Sequence, residues 1–223
     1  MIRTALFHVA VLAVFVRADS LDAILGRMDD SAKKFKSVSA NVHRVEFTAV
    51  INESSEEDGQ MRLKHGKGGL LGVLIFTGAD ERTIGFRGRL IEMYLPKAKT
   101  VQRADASKYT SSLDAYLLLA FGTATSKELK AAYDITAGGS ETVDGKRATR
   151  LELIPKSSEV KKLATRIELW IPDGETIALR EKITEPSKNT VTFTYSAVKI
   201  NPSIPDSDFE LKIPAGTKSV QIK

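Results

Sequence analysis

The stretch RIELWIPDGETIALREKITEPSKNTVTFTYSA, residues 166–197, alternates apolar and polar side chains in three runs that turns separate. A period of two is typical of β-strands with one buried face and one solvated face. Asp173-Gly174 and Pro186-Ser187 supply the turn residues that join consecutive antiparallel strands. The stretch and its flanks therefore predict three strands of an antiparallel sheet, at residues 165–171, 176–185 and 190–200, with an apolar side and a wet side.

Runs of the same kind occur along most of the chain and predict further strands. They are residues 44–51, 60–65, 70–77, 82–86, 90–95, 100–103, 133–141 and 148–154. The total is about eleven strands on short connections, which favours consecutive hairpins over a parallel sheet. Because strand twist curls a sheet of this width, we expect its apolar side to be concave and to need a cover.

The sequence predicts few helices to provide that cover. Residues 21–35 repeat apolar side chains at helical spacing behind the capping residue Ser20. Residues 112–122 predict a second helix, which is apolar on nearly all sides and carries Leu113, Tyr116, Leu117 and Phe121. Such a helix is either simply buried or a lid over an apolar cavity. In the lid hypothesis it lies over the apolar side of the sheet and can be displaced from it. Shorter helices are predicted near residues 126–132 and 158–163.

The N-terminus has the layout of a secretory signal peptide. Arg3 precedes an apolar run from Ala5 to Val16, and small residues lead to a predicted cleavage after about Ala18. The run is shorter than the ~20 residues that a bilayer core requires. We therefore expect residues 1–18 to be removed on export to the periplasm and residues 19–223 to form one domain. The alternative is an uncleaved anchor.

The composition argues against several classes of function. The chain has no cysteine, which excludes disulfides, zinc thiolates, a thiol nucleophile and a lipid-bearing N-terminal cysteine. Its 33 Lys and Arg against 28 Asp and Glu are interspersed, without the basic block of a nucleic-acid interface. His43 and His65 lie in separate predicted strands, and Gly66-Lys67-Gly68-Gly69 predicts a hairpin loop rather than a phosphate site. No metal site, cofactor, catalytic residue set or enzymatic activity is expected.

Most of the chain after residue 18 resembles the LolA family of periplasmic lipoprotein carriers, most strongly from Glu141 onward. Residues 143–156 (VDGKRATRLELIPK) resemble the family's "v-G…L-x-L-x-P-K" segment, and residues 166–171 resemble its next strand. Residues 201–217 (NPSIPDSDFELKIPAGT) resemble its closing "N-x-x-I-x-D-x-x-F-x-F-x-x-P-x-G" signature. In residues 61–75 the chain departs from the family's "R-P-G-x-F-R-W" stretch, because Leu or Gly stands at the second Arg position. That Arg bonds to a lid helix in the family.

The resemblance implies an unclosed barrel of about eleven antiparallel strands with helices at its mouth. It implies a monomeric carrier that takes lipoprotein or lipid acyl chains from an inner-membrane donor complex towards an outer-membrane acceptor. The alternative is a non-enzymatic envelope-stress sensor or scaffold that binds lipid or protein. The phase of the predicted strands gives the candidate cavity wall Val45, Phe47, Val73, Ile75, Ile91, Met93, Ile167, Leu169, Leu179, Phe193 and Tyr195.

Overall fold

The structure is a computed structural model, and it describes residues 19–105, 119–121 and 123–222. Its strands are β1 (Ser37–Thr48), β2 (Glu53–Gly66), β3 (Gly69–Thr77), β4 (Arg82–Arg87), β5 (Leu90–Leu95), β6 (Thr100–Asp105), β7 (Tyr133–Val143), β8 (Lys146–Pro155), β9 (Arg166–Pro172), β10 (Arg180–Thr184), β11 (Thr190–Ile200) and β12 (Lys218–Gln221). Its α-helices are α1 (Leu21–Lys34), α2 (Ser126–Ala132) and α3 (Ser158–Lys161). Short 3₁₀ turns span Leu119–Phe121 and Asp206–Phe209.

The twelve strands form one sheet in the order β12-β6-β5-β4-β3-β2-β1-β11-β10-β9-β8-β7. Neighbours pair antiparallel except β12, which pairs parallel with β6. Since β12 and β7 lie at opposite ends of this order, the sheet is unclosed. The predicted fold, a mainly antiparallel unclosed sheet with few helices, is confirmed. The same architecture is the one that the LolA resemblance implies.

Several strand bounds differ from the sequence prediction. β1 and β2 begin at Ser37 and Glu53 rather than at residues 44 and 60. The first strand ends at Thr48 rather than at Ile51, because residues 49–52 form the turn of the β1–β2 hairpin. β10 is shorter than predicted and begins only at Arg180. β12 has four residues, too few to show a period of two in the sequence. The Gly-rich loop is the predicted hairpin turn, and Gly69 has the positive φ of 116° that favours glycine.

Helix α1 forms where the capping and charge pattern predicts it. The Ser20 side chain accepts a hydrogen bond from the backbone N–H of Ala23 at 3.2 Å, and Lys33 and Lys34 lie at the negative end of the helix. Its buried side of Ile24, Leu25 and Met28 packs on the sheet. Among the residues that the structure describes, no helix combines the length and the apolar character needed to cross a membrane.

We call the side of the sheet that α1 covers the inner face, and the opposite side the outer face. The inner face carries the main core, which includes Leu63, Leu169 and Tyr195 and is closed by α1, α2 and the turn Leu119–Phe121. The outer face has a second, smaller core in which Val73 packs against the C-terminal segment. The C-terminal segment, residues 201–217, lies against the outer face there through Ile204, Phe209 and Leu211. The sheet is therefore apolar on both faces across β3, and the C-terminal segment covers the outer one.

Candidate functional site

The inner face divides into a closed region and an open region. In the closed region, residues such as Ile167 and Leu169 have no exposed surface under the helices. The open region lies over β3, β4 and β5, where five apolar inner side chains are only half-buried. These are Leu74, Ile84, Phe86, Ile91 and Met93. The open region is therefore a partly exposed apolar surface on the inner face of the sheet.

Two aromatic rings of β11 lie on the same inner face, with β1 and β2 between them and the open region. Phe193 is half-buried, and its ring stacks on that of Tyr195 with centroids 6.4 Å apart. Tyr195 in turn meets the ring of Phe121 edge-on at 4.9 Å. Phe121 is 1% exposed, so the turn that carries it closes this end of the apolar surface.

The strand registers decide which predicted wall residues share this face. Six of the eleven do, namely Ile91, Met93, Ile167, Leu169, Phe193 and Tyr195. The other five lie on the outer face, namely Val45, Phe47, Val73, Ile75 and Leu179. Their position on a face does not test lipid binding, so the assignment of all eleven residues to a lipid-binding wall stays a prediction. Of the predicted lid residues, Leu113, Tyr116 and Leu117 lie outside the described residues, and Phe121 lies on the inner face as given above.

The phase of β1 is opposite to the predicted one for an electrostatic reason. Arg44 pairs in register with Phe193 on one side and with Glu57 on the other, so its side chain lies on the inner face. It donates hydrogen bonds to Glu57 at 2.7 Å and to Glu46 at 2.7 Å. Val45 consequently points outward. The charged residues of β1 face inward because partners on the same face neutralise them, which the β1 sequence alone does not show.

A second arginine completes this polar rim of the inner face. Arg82 donates two hydrogen bonds to the two carboxylate oxygens of Glu57, both at 2.6 Å, and its guanidinium lies 4.3 Å from the centre of the Phe76 ring. Burial alone would raise the pKa of Glu57, but hydrogen bonds and charge from Arg82 and Arg44 hold that pKa below its usual value. Glu57 is therefore ionised at neutral pH and joins β1, β2 and β4 at this rim.

The rim also borders a polar cleft of about 500 Å³. Arg44 and Arg82 supply its positive charges, and its acidic lining is Glu46, Glu56, Glu57, Asp58 and Asp80. Acidic groups outnumber basic ones in this lining, so the cleft does not suit a hydrocarbon chain. The apolar surface of the inner face and this polar cleft are thus neighbouring but chemically different sites.

Glu181 is an inner-face residue that the sequence analysis missed. It pairs in register with Leu169 and Phe193, is 5% exposed, and accepts a hydrogen bond from the Tyr195 hydroxyl on Oε2 at 2.9 Å. Oε1 is buried and has no hydrogen-bond partner among the described residues. Burial raises the pKa of Glu181 to about 7, against the opposing effect of the Tyr195 hydrogen bond. The strand pattern could have identified Glu181, because it stands two residues from the buried Ile183 and therefore on the same face of β10.

The two histidines of the described chain lie on separate strands, His43 on β1 and His65 on β2. His43 Nδ1 lies 2.9 Å from an oxygen of Asp58, and Nε2 lies 3.7 Å from an oxygen of Glu56. Both ring nitrogens thus face carboxylates, which the sequence analysis did not predict. His65 packs edge-on against Phe35, with ring centroids 5.5 Å apart.

Several solved structures are similar to this one at low sequence identity. An uncharacterized conserved protein from Thermus thermophilus is 12% identical, with 90% of this chain and 98% of that chain covered and a TM-score of 0.57. The lipoprotein LppX from Mycobacterium tuberculosis is 21% identical, with 83% and 99% covered and a TM-score of 0.50. A LolA superfamily protein from Nitrosomonas europaea is 14% identical, with 87% and 99% covered and a TM-score of 0.43. Identities this low describe a likeness of fold.

A comparison with curated proteins finds no match. A family model does match, over residues 77–223, which is more than half of the chain and runs from the end of β3 through β12. The matched range includes Glu181, Phe193, Tyr195 and the whole C-terminal segment, so the inner-face site falls largely inside it. The chain therefore belongs to the family described as "Predicted periplasmic protein (DUF2092)".

Proposed function

We propose that this chain is a non-enzymatic periplasmic carrier that shields the acyl chains of lipoproteins or related lipids against its inner face. It would deliver them towards the outer membrane, and it reaches the periplasm by losing residues 1–18. The observation that carries the proposal is the half-buried apolar surface of the open region on the inner face. The family's description as periplasmic supports the compartment.

The free energy of acyl-chain burial suits a carrier whose site is partly self-occluded. Each methylene removed from water contributes about 0.8 kcal/mol, so a chain of about 16 carbons gains about 12 kcal/mol at most. Binding of that strength would prevent release to an acceptor. If cargo must displace Phe121 from Tyr195, the lost ring contact offsets part of the gain and keeps transfer reversible.

The β1–β2 hairpin favours a second candidate function, a protein-binding sensor or scaffold of the cell envelope. At its turn Val50 is 89% exposed and Ile51 is 59% exposed, next to the acidic start of β2 at residues 53–58. Exposed apolar side chains at a hairpin tip are suited to a protein contact. This function would use the hairpin tip and leave the inner face without cargo.

A pair of matched substitutions tests the carrier proposal. Met93→Asp puts a charge on the inner face, and Val45→Asp puts the same charge at a half-buried position of the outer face. We expect Met93→Asp to weaken binding of a fluorescent palmitoyl ester at least about tenfold, whereas Val45→Asp changes it less than about twofold. Fluorescence titration measures both, and circular dichroism checks that both variants are folded. Equal effects of the two substitutions, or no binding by the unsubstituted chain, would contradict the proposal.

A further inference from the structure

Glu181 places a carboxyl group in the middle of an otherwise apolar floor. Its neighbours in register are Leu169 on β9 and Phe193 on β11, and Ile183 lies on the same face two residues along β10. One carboxyl oxygen accepts from the Tyr195 hydroxyl at 2.9 Å, and the other has no partner among the described residues. A buried polar atom without a partner is costly, so the position is expected to have a use.

The groups around Glu181 favour its neutral form. Tyr195 faces Glu181 from β11. Tyr133, at the start of β7, is also near, because its pKa is raised mainly by its own burial and secondly by the charge of Glu181. The nearest guanidinium along the register, that of Arg44 on β1, lies beyond Phe193 and is held by Glu57 and Glu46. No described cation forms an ion pair with Glu181. Burial therefore raises the pKa of Glu181 to about 7, so the carboxyl keeps its proton at lower pH.

The neutral carboxyl presents a hydrogen-bond donor. Because Oε2 accepts from the Tyr195 hydroxyl, Oε2 has the role of the carbonyl oxygen. The proton then lies on Oε1, whose O–H donates but finds no acceptor among the described residues. A ligand that satisfies this group must bring an acceptor oxygen that tolerates an apolar site. The carbonyl oxygen of an acyl group meets both conditions.

The position of Glu181 is compatible with a ligand that enters along the inner face. Phe193 is the register neighbour of Glu181 on that face and is itself only half-buried. Phe121 contacts Tyr195, with the two ring centroids 4.9 Å apart. A hydrocarbon chain that displaces Phe121 from Tyr195 would bring its first carbons next to the carboxyl.

We propose that Glu181, oriented by Tyr195, is a hydrogen-bond donor to the carbonyl oxygen of an ester-linked or amide-linked acyl chain. This inference rests on the proposed carrier function and deepens it. The site would distinguish acyl chains from alkyl chains of equal length. Glu181 would set the depth to which the chain enters.

The test compares two ligands that differ only in the carbonyl group. Monopalmitoylglycerol has an ester carbonyl, and its alkyl-ether analogue has a methylene in that place with the same glycerol hydroxyls. Binding of both is measured below their aggregation limits at about pH 6 and about pH 8, on either side of the raised pKa of Glu181. The proteins are the unsubstituted chain, Glu181→Leu and Glu181→Gln. Glu168→Gln is the control, because Glu168 is equally buried but lies on the outer face.

We expect the unsubstituted chain to bind the ester about tenfold more tightly than the ether at the lower pH, as one buried hydrogen bond implies. That preference should fall at the higher pH, where the carboxyl loses its proton. Glu181→Leu should lose the preference at both pH values. Glu181→Gln should keep it at both, because its amide N–H₂ donates regardless of pH, and Glu168→Gln should behave as the unsubstituted chain.

Two results would overturn the inference. One is equal binding of ester and ether by the unsubstituted chain at the lower pH, and the other is an undiminished preference in Glu181→Leu. Both are distinct from failure of the carrier proposal, in which the unsubstituted chain would bind neither ligand. Glu181→Gln preserves the shape of the side chain, so its pH-independent preference remains a test even if Glu181→Leu does not fold.

Discussion

At the scale of single residues, the inner face contains two glutamates whose pKa values are shifted in opposite directions. Glu57 is stabilised as an anion by two arginines, and its depressed pKa means that it contributes stability at neutral pH that is lost in acid. Glu181 has no such cation and is stabilised as a neutral acid. The two glutamates lie on the same face but differ in protonation. Arginine partners stabilise the charged form of Glu57, whereas burial without a cation favours the neutral form of Glu181.

The stability of the fold should report the proton on Glu181 directly. Its pKa is raised from 4.5 to about 7 in the folded chain, so the folded state holds a proton that the unfolded state releases between those values. The stability that this gives is complete below about pH 4.5 and is lost as pH rises to about 7, by at most about 3 kcal/mol. Glu181→Gln cannot lose a proton. Urea unfolding should therefore show the variant gaining stability relative to the unsubstituted chain between about pH 5 and about pH 8.

The outcome that would contradict this account is a free-energy difference between variant and unsubstituted chain that is the same at both pH values. In that case Glu181 would be ionised in the folded state at neutral pH. Its Oε1 would then not carry the proton that donation to a carbonyl oxygen requires.

At the scale of elements, the C-terminal segment covers the outer face of β3 and β4. Asn201 Oδ1 accepts from the backbone N–H of Lys36 at 2.7 Å, and the Ser37 hydroxyl donates to the carbonyl of Pro202 at 2.6 Å. Phe209 is fully buried in the outer core with Val73. The segment that resembles the closing signature of LolA proteins therefore has a clear structural role here. It buries an apolar outer surface that would otherwise be exposed.

The contact between Gly85 and Leu211 makes this role testable. A Cβ atom on Gly85 would lie 2.1 Å from Cδ1 of Leu211, so Gly85→Ala forces that side chain to move. We expect Gly85→Ala to lower the free energy of unfolding by about 1–2 kcal/mol, as overpacking does. In a Leu211→Ala background the same substitution should cost much less, because the clash is gone. Denaturant unfolding of the four proteins of this cycle measures the coupling.

Gly139→Ala is the control, since a Cβ at that position meets nothing within 4 Å. It should leave stability nearly unchanged. If Gly85→Ala is equally destabilising with and without Leu211, the C-terminal segment does not pack on β4 in solution as described.

The positions of the strands along the chain were easier to predict from the sequence than the face of the sheet on which each side chain lies. Alternation marks strands wherever one side is wet, as in Thr190–Ile200, and β11 has the predicted bounds. It cannot fix the phase of β1, because the inward Arg44 is compensated by Glu57, which belongs to another strand. It also fails for β3, because both faces of that strand are apolar and the covering segment lies far along the chain. β12 lacked any signal because four residues carry too short a pattern.

At the scale of the whole molecule, the central claim is that an unclosed sheet leaves part of its apolar inner face for a lipid. The closed region is filled by α1, α2 and the turn Leu119–Phe121, whereas the apolar side chains of the open region over β3 to β5 are only half-buried. The open region is therefore where cargo is expected.

Native mass spectrometry of the chain exported to a bacterial periplasm and purified without detergent tests this claim most directly. The carrier account predicts a population whose mass exceeds that of the processed polypeptide by the mass of an acyl lipid, and predicts that Met93→Asp reduces that population while Val45→Asp does not. A spectrum that contains only the bare polypeptide, or the polypeptide with a protein partner and no lipid, would contradict it.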